Sequence, residues 1–232
     1  MTVTGRPIHS GSDMALAIAR RGLSKQTIRE AFSRATLIRL RRGEELTGGE
    51  GGLMCLVTTG HLRVQFRHPT QTGGETLAGL IGPQDFFAAR FDKASGHATS
   101  AAAMTPARVL AMPSASAYEM AMTRPDFNNL MLAVFVNMTE TMGRRLASLL
   151  NGDAAARVAW VINDLMTRFG QPGPDGLSLG YRVTQTELAQ LCGLTRETVN
   201  KTIADFANRG WLTMHGHSMM VHDLDALRQI AS

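Results

Sequence analysis

Cysteine is nearly missing from this chain. Its 232 residues contain two, Cys55 and Cys192, far apart in sequence. Two thiols so placed exclude a disulfide framework, a four-cysteine iron–sulfur cluster and a multi-cysteine zinc site within one chain, and they fit a reducing cytoplasm. Long apolar runs are missing too: nothing approaches the roughly 18 residues of a membrane span. Met14-Ala15-Leu16-Ala17-Ile18-Ala19 is too short for a signal peptide, and its arginines follow it rather than precede it. A cytoplasmic protein with no membrane partner is therefore expected. A His-x-His pair occurs only at His215-Gly216-His217. The alternative of a cupin-type metal-dependent enzyme thus lacks its ligand pattern, and no enzymatic activity is expected. Positive charge is scarce in one region. The net charge is +5 and the pI about 9.9, yet from Asp153 onward seven Lys and Arg face eight Asp and Glu. Overall basicity is compatible with a polyanion partner, but placement of individual side chains has to carry that argument.

What the chain does contain is a helix-turn-helix pattern. Thr184-Gln185-Thr186-Glu187-Leu188-Ala189-Gln190-Leu191 reads as one short helix and Thr195 to Ala207 as a second, joined by Cys192-Gly193-Leu194. Ala189 is small enough for two helices to cross at a steep angle, and Gly193 tolerates the left-handed backbone of a tight turn. Leu188, Leu194, Val199 and Ile203 are spaced to form the core that locks the pair. The second helix is then expected to expose Thr195, Arg196, Glu197, Asn200 and Lys201, whose donors and acceptors suit base edges and phosphates.

The rest of the chain predicts an α+β protein. Met1 to Asp13 is small, polar and without period, so no structure is expected there, and Met14 to about Phe32 reads as a helix. From Ala35 to Pro113 short apolar runs are cut by glycine and polar turns. This predicts a β-rich domain with strands at Thr36–Leu40, Leu53–Thr58, His61–Phe66, Thr76–Ile81 and Ala107–Ala111. Ser114 to Met122 predicts a short helix and about Pro125 to Leu150 a long one. The long helix carries two stripes. Phe135, Met142, Leu146 and Leu149 form one; Met131, Val134, Met138, Thr141 and Arg145 form the other, which is assigned to a partner helix in a homodimer. Gly152 stops this helix and Asp153 caps the next, which runs to Phe169. Gly170 to Gly180 reads as a loop, Trp211–Met214 and Met219–Val221 as a β-hairpin wing, and Asp223 as the cap of a last helix. The predicted divisions are 1–24 (flexible N-terminus and short helix), 25–124 (β domain), 125–152 (dimerisation helix and hinge) and 153–232 (winged helix-turn-helix).

Gly193-Leu194-Thr195-Arg196-Glu197-Thr198-Val199, with Asn200-Lys201 and the wing ending in Val221-His222-Asp223, resembles the helix-turn-helix of the Crp/Fnr regulators. Arg42-Gly43-Glu44-Glu45-Leu46, Cys55 to Val64 and Ile81-Gly82-Pro83-Gln84-Asp85-Phe86-Phe87 are similar to that family's cyclic-nucleotide-binding β-roll. Gly143-Arg144-Arg145-Leu146 is similar to part of its dimer helix. The resemblance covers almost the whole chain. It implies a β-roll, a dimerisation helix and a winged helix-turn-helix, in a homodimeric transcription regulator that contacts double-stranded DNA and RNA polymerase. It implies a palindromic, TGTGA-like site contacted through Thr184, Thr195, Arg196, Glu197, Thr198, Asn200 and Lys201. In this reading Arg196 and Glu197 meet bases, and Thr184 meets a phosphate through its hydroxyl and the helix-terminal N–H groups.

The effector positions depart from the family pattern. Cyclic-nucleotide binders carry Gly-Glu after the Asp-Phe-Phe segment, and Arg-Ser or Arg-Thr for the cyclic phosphate. The matching pairs here are Ala88-Ala89 and His97-Ala98. A buried phosphate needs a fixed cation and donors, which alanine lacks, so cyclic AMP is not expected as cofactor. Arg90 and His97 are the candidates for a different effector, if there is one. A haem-sensing alternative would take His61, His68 or His97 as axial ligand; a redox-sensing one would use Cys55 or Cys192.

Overall fold

The computed structural model describes residues 6–7, 22–68, 75–215 and 218–231. The expected α+β architecture is present, in two compact units, Met1–Thr139 and Glu140–Ser232. Residues 14–21, expected to be helical, and 216–217 of the wing turn lie outside the described residues.

Among the described residues, the first unit carries an antiparallel sheet of nine strands. They are β1 (Arg6–Pro7), β2 (Thr36–Leu40), β3 (Glu45–Thr47), β4 (Leu53–Thr59), β5 (Leu62–Arg67), β6 (Glu75–Ile81), β7 (Phe86–Phe91), β8 (Ala98–Ala103) and β9 (Ala107–Pro113). The order is β1-β2-β9-β4-β7-β8-β5-β6, with β3 paired to β8. Arg6–Pro7 falls in the segment expected to lack structure, yet pairs with Thr36 and Leu37. Ile38, Leu46, Val57, Leu62, Phe87, Ala101 and Val109 come from seven strands and share one buried cluster, so the sheet wraps around its own core. β9 shows why its sequence is almost continuously apolar. Val109 and Ala111 enter that inner cluster, while Leu110 and Met112 on the other face enter a second one.

The second cluster is covered by α1 (Lys25–Arg34), α2 (Ser114–Thr123) and the start of α3 (Pro125–Asn151). Phe127 and Leu130 of α3 are buried there, and Met131 and Val134 pack against it. This corrects the assignment of the two stripes. Met131 and Val134, given to a partner helix, face the first unit's own core, and Arg145, which belongs to the second unit, donates to the Leu191 carbonyl oxygen of that same unit at 3.3 Å. Thr141 is half-buried; Met138 alone of that set is exposed. The exposed stripe runs through Leu132, Phe135, Met142, Leu146 and Leu150.

Two carboxylates tie α1 to the helices beside it. Asp126 accepts from the Ser24 N–H and the Thr27 hydroxyl, both at 2.8 Å, and those contacts, the Ser24 N–H first, hold its pKa below the ordinary 3.8. Glu30 bridges Arg124 at 2.7 Å and Arg34 at 2.9 Å; Arg124 chiefly holds it below its ordinary 4.5. A carboxylate with a lowered folded-state pKa contributes stability above its unfolded pKa, and this is lost as pH falls through the folded value. Unfolding midpoints in urea should therefore hold level down to about pH 5 and decline below about pH 4.5. A Glu30→Gln, Asp126→Asn double variant should start lower and decline less steeply; parallel curves would contradict the linkage.

The second unit contains α4 (Ala154–Phe169), β10 (Gly170–Gly173), β11 (Gly176–Leu179), α5 (Gln185–Cys192), α6 (Arg196–Asn208), β12 (Leu212–His215), β13 (Ser218–Val221) and α7 (Leu224–Ala231). Asp153 caps α4 as expected, its side chain accepting from the Ala156 N–H at 2.8 Å. Asp223 does the same for α7 through Ala226. The expected loop at Gly170 to Gly180 is instead the hairpin β10–β11, which extends the wing into a sheet ordered β10-β11-β13-β12. Pro172 is accommodated because β10 is an edge strand, where a missing N–H interrupts no ladder.

Candidate nucleic-acid interface

The turn between α5 and α6 is set by Gly193. Its φ is +63°, a left-handed conformation that ends α5, and the Leu194 N–H reaches back to the Ala189 carbonyl at 3.0 Å. A side chain there would also begin 3.2 Å from Leu149. Leu188, Ala189, Val199 and Ile203 are buried between the two helices as expected, whereas Leu194 stays half-buried.

Both helix starts are capped. The Thr195 hydroxyl accepts from the Thr198 N–H at 3.2 Å and lies 3.0 Å from the Thr198 hydroxyl. Thr184 forms a full capping box: its hydroxyl accepts from the Glu187 N–H at 3.1 Å and donates to the Glu187 carboxylate at 2.8 Å, which also accepts from the Thr184 N–H. The expected role of that hydroxyl needs correction. A hydroxyl has one proton, and Thr184 spends it on Glu187, so the group orders α5 rather than offering a donor to a phosphate.

Arg196, Glu197 and Lys201 are exposed on the first turns of α6. Neither Arg196 nor Lys201 is in a salt bridge among the described residues. The Glu197 carboxyl is held below its ordinary 4.5 by its own backbone N–H, then by the Thr195 hydroxyl and the neighbouring Arg196 charge. It is therefore an ionised acceptor at neutral pH, beside a free guanidinium. Asn200, expected to be exposed, is half-buried; its Oδ1 is enclosed and makes no hydrogen bond among the described residues. Its inward turn had no signal in the sequence beyond its place next to Val199.

Neither thiol is exposed. Desolvation pushes the pKa of each up to about 12. Cys192, the last residue of α5, places its Sγ 3.8 Å from the Arg157 carbonyl oxygen. Almost no thiolate exists at neutral pH, so redox chemistry has little nucleophile to begin from.

At the expected effector positions, Ala89 is fully buried in the inner cluster of the β domain. His97 is exposed, its ring edge-on to that of His68 at 4.5 Å. Arg90 is exposed at the end of β7.

Residues 156–230 match the Crp-like helix-turn-helix domain family. A CRP-like cAMP-activated global transcriptional regulator of Mycobacterium tuberculosis is 32% identical over 186 residues, covering 79% of this chain and 82% of the relative. The fumarate and nitrate reduction regulatory protein of Escherichia coli is 26% identical over 164 residues, covering 70% and 65%. Among solved structures, a mutant of CooA from Carboxydothermus hydrogenoformans aligns with a TM-score of 0.70 at 20% identity, covering 98% of both chains. The c-di-GMP responsive regulator CLP of Xanthomonas campestris aligns at 0.65 and 18% identity, covering 86% and 99%. Structures this distant in sequence establish the fold; the closer sequence relative carries the family. The chain belongs to the Crp/Fnr family of transcription regulators.

Proposed function

We propose that the protein binds DNA as a homodimer at an approximate palindrome of TGTGA-like half-sites, about 34–36 Å apart, with α6 in the major groove. The observation that carries this is the unpaired Arg196 guanidinium at the start of α6, with the ionised Glu197 beside it. A guanidinium bonds O6 and N7 of guanine together, and a carboxylate accepts from cytosine N4. Lys201 adds a point charge, which lacks the fork geometry that arginine would give. Contact with RNA polymerase goes with the family. The same reading takes the effector to be something other than cyclic AMP in its usual pose, or nothing. The M. tuberculosis relative is described as cAMP-activated, but Ala88, Ala89, His97 and Ala98 here supply no carboxylate for a ribose and no fixed cation with donors for a cyclic phosphate.

Selection of bound duplexes from a random pool at fixed salt tests both parts. The wild type should yield the palindrome with the same preference whether or not cyclic AMP is added. Arg196→Ala should cost about 1–3 kcal/mol and relax the choice at one guanine in each half-site. An unchanged sequence preference in that variant would refute the assignment of Arg196.

A further inference from the structure

The boundary between the two compact units falls inside α3, so residues 140–151, about three turns, belong to the same unit as the reader. These turns have two faces. Met142, Leu146 and Leu150 are exposed, whereas Arg145, Ser148 and Leu149 are half-buried. The half-buried face meets the end of α5 and its turn. The Arg145 guanidinium donates through Nη2 to the Leu191 carbonyl oxygen at 3.3 Å, and a side chain at Gly193 would begin 3.2 Å from Leu149 Cδ2.

α5 needs that donor, because a helix ends in carbonyls that its own backbone leaves unsatisfied. The turn serves two of them: the Leu194 N–H bonds the Ala189 carbonyl at 3.0 Å, and the Gly193 N–H bonds that of Gln190 at 3.4 Å. The Leu191 carbonyl comes next, and Arg145 brings it a donor together with positive charge at the negative end of the helix. Burial lowers the pKa of Arg145 from 12.5, while Cys192 and Asp164 act against that shift. The guanidinium stays charged. A second strap lies alongside. Arg157 Nε donates to the Gly152 carbonyl at 2.8 Å, just past α3, and the Arg157 carbonyl oxygen lies 3.8 Å from Cys192 Sγ. A neutral side chain would fill the Arg145 site without the cost of desolvating a charge. What arginine adds is a directional bond between the helix that bears the exposed stripe and the helix that leads into the reader's turn.

We infer that Arg145 is a positioning residue for DNA recognition: it holds α5, and through the Gly193 turn α6, at one angle to the exposed stripe of α3, and so sets the half-site spacing that the dimer accepts. This deepens the proposed function and rests on its homodimer and palindrome. One base pair moves the half-sites by about 3.4 Å and turns them by about 35°, so a reader held at one angle tolerates little change. The test is the affinity of the full chain for the selected palindrome, for versions with the centre one base pair longer or shorter, and for a single half-site. The wild type should lose about tenfold or more when the centre changes. Arg145→Gln should bind the original palindrome about tenfold less tightly and lose only about threefold or less on respacing, with half-site affinity and dimer mass unchanged. Arg145→Lys keeps a cation without the rigid fork, so its discrimination should fall between the two, and it carries the test at any temperature where Arg145→Gln does not stay folded. Arg144→Gln, at an exposed arginine one residue away, should match the wild type. Spacing as strict in Arg145→Gln as in the wild type would overturn the inference. So would an equal loss on the single half-site, which would make Arg145 a support of the reader alone. A wild type that binds the palindrome no better than a half-site would instead refute the dimer reading, and this inference with it.

Discussion

Phe206→Ala is expected to destabilise the C-terminal unit by about 3–5 kcal/mol, the usual cost of emptying a fully packed phenylalanine site. Phe206 has no exposed surface and stands on the same face of α6 as Val199 and Ile203, which hold the helix against α5. Its ring lies 5.4 Å from that of Trp211, and its carbonyl oxygen accepts the Trp211 N–H at 3.0 Å, closing the end of the helix. Deleting the ring therefore empties a core site and loosens the entry into the wing together. A domain of this size is stable by about 5–15 kcal/mol, so the loss takes a large part of the margin. The measurement is direct, because Trp160 and Trp211 are the chain's two tryptophans and both lie in this unit. Their fluorescence during urea unfolding should show a much lower midpoint, and specific DNA binding should fail at lower temperatures. Tyr118→Ala, at a side chain 68% exposed in the other unit, should leave that midpoint where it was. A Phe206→Ala midpoint equal to the wild type would mean that the reader is not held from beneath by this ring.

The reader was legible because each of its parts is a local rule. A threonine cap, an alanine at the crossing, a glycine turn and a second threonine cap follow one another in a short stretch, and each does locally what its chemistry predicts. Five strands were legible for a similar reason: their β-branched and leucine-rich runs end at turns. β7 and β8 were not. Ala98–Ala103 is almost all small residues, which have no strand preference, and it is extended because Ala101 and Ala103 face Val64 and Leu62 across the ladder, where little room is left. The hollow between β3, β5, β7 and β8 was illegible for a deeper reason: its lining comes from four strands, and only the register of β3 and β5 on β8 brings Thr47, Arg67 and Ser100 to one place. The exchanged stripes of α3 show what periodicity leaves open. Two apolar faces could be counted, but the choice between them was fixed upstream, by Phe127 and Leu130. These face the sheet directly after the short turn from α2 and carry Met131 and Val134 inward with them.

That exchange sets the second large expectation. Leu132, Phe135, Thr139, Met142, Leu146 and Leu149 alternate spacings of three and four, the register of a two-stranded coiled coil. Within this seam Phe135 is 61% exposed, Met142 54% and Leu146 56%, and Leu150 beside it 72%, which is costly for an isolated helix in water. A second copy related by two-fold symmetry would cover each of them with itself. Leu146→Glu should then place two carboxylates opposite each other in an apolar seam and convert the dimer to a monomer, seen as a halved mass in light scattering. The helix should survive, since the side chain has no place in either unit's buried core, and far-ultraviolet circular dichroism should not change. Binding to a full palindrome should fall by about 10²–10⁴, to the level of one half-site, because two linked contacts become one. Thr141→Glu, on the stripe first assigned to the partner, should keep the dimer and its affinity. If Leu146→Glu remains dimeric while Thr141→Glu dissociates, the sequence had the right stripe and the exposed one belongs to something else.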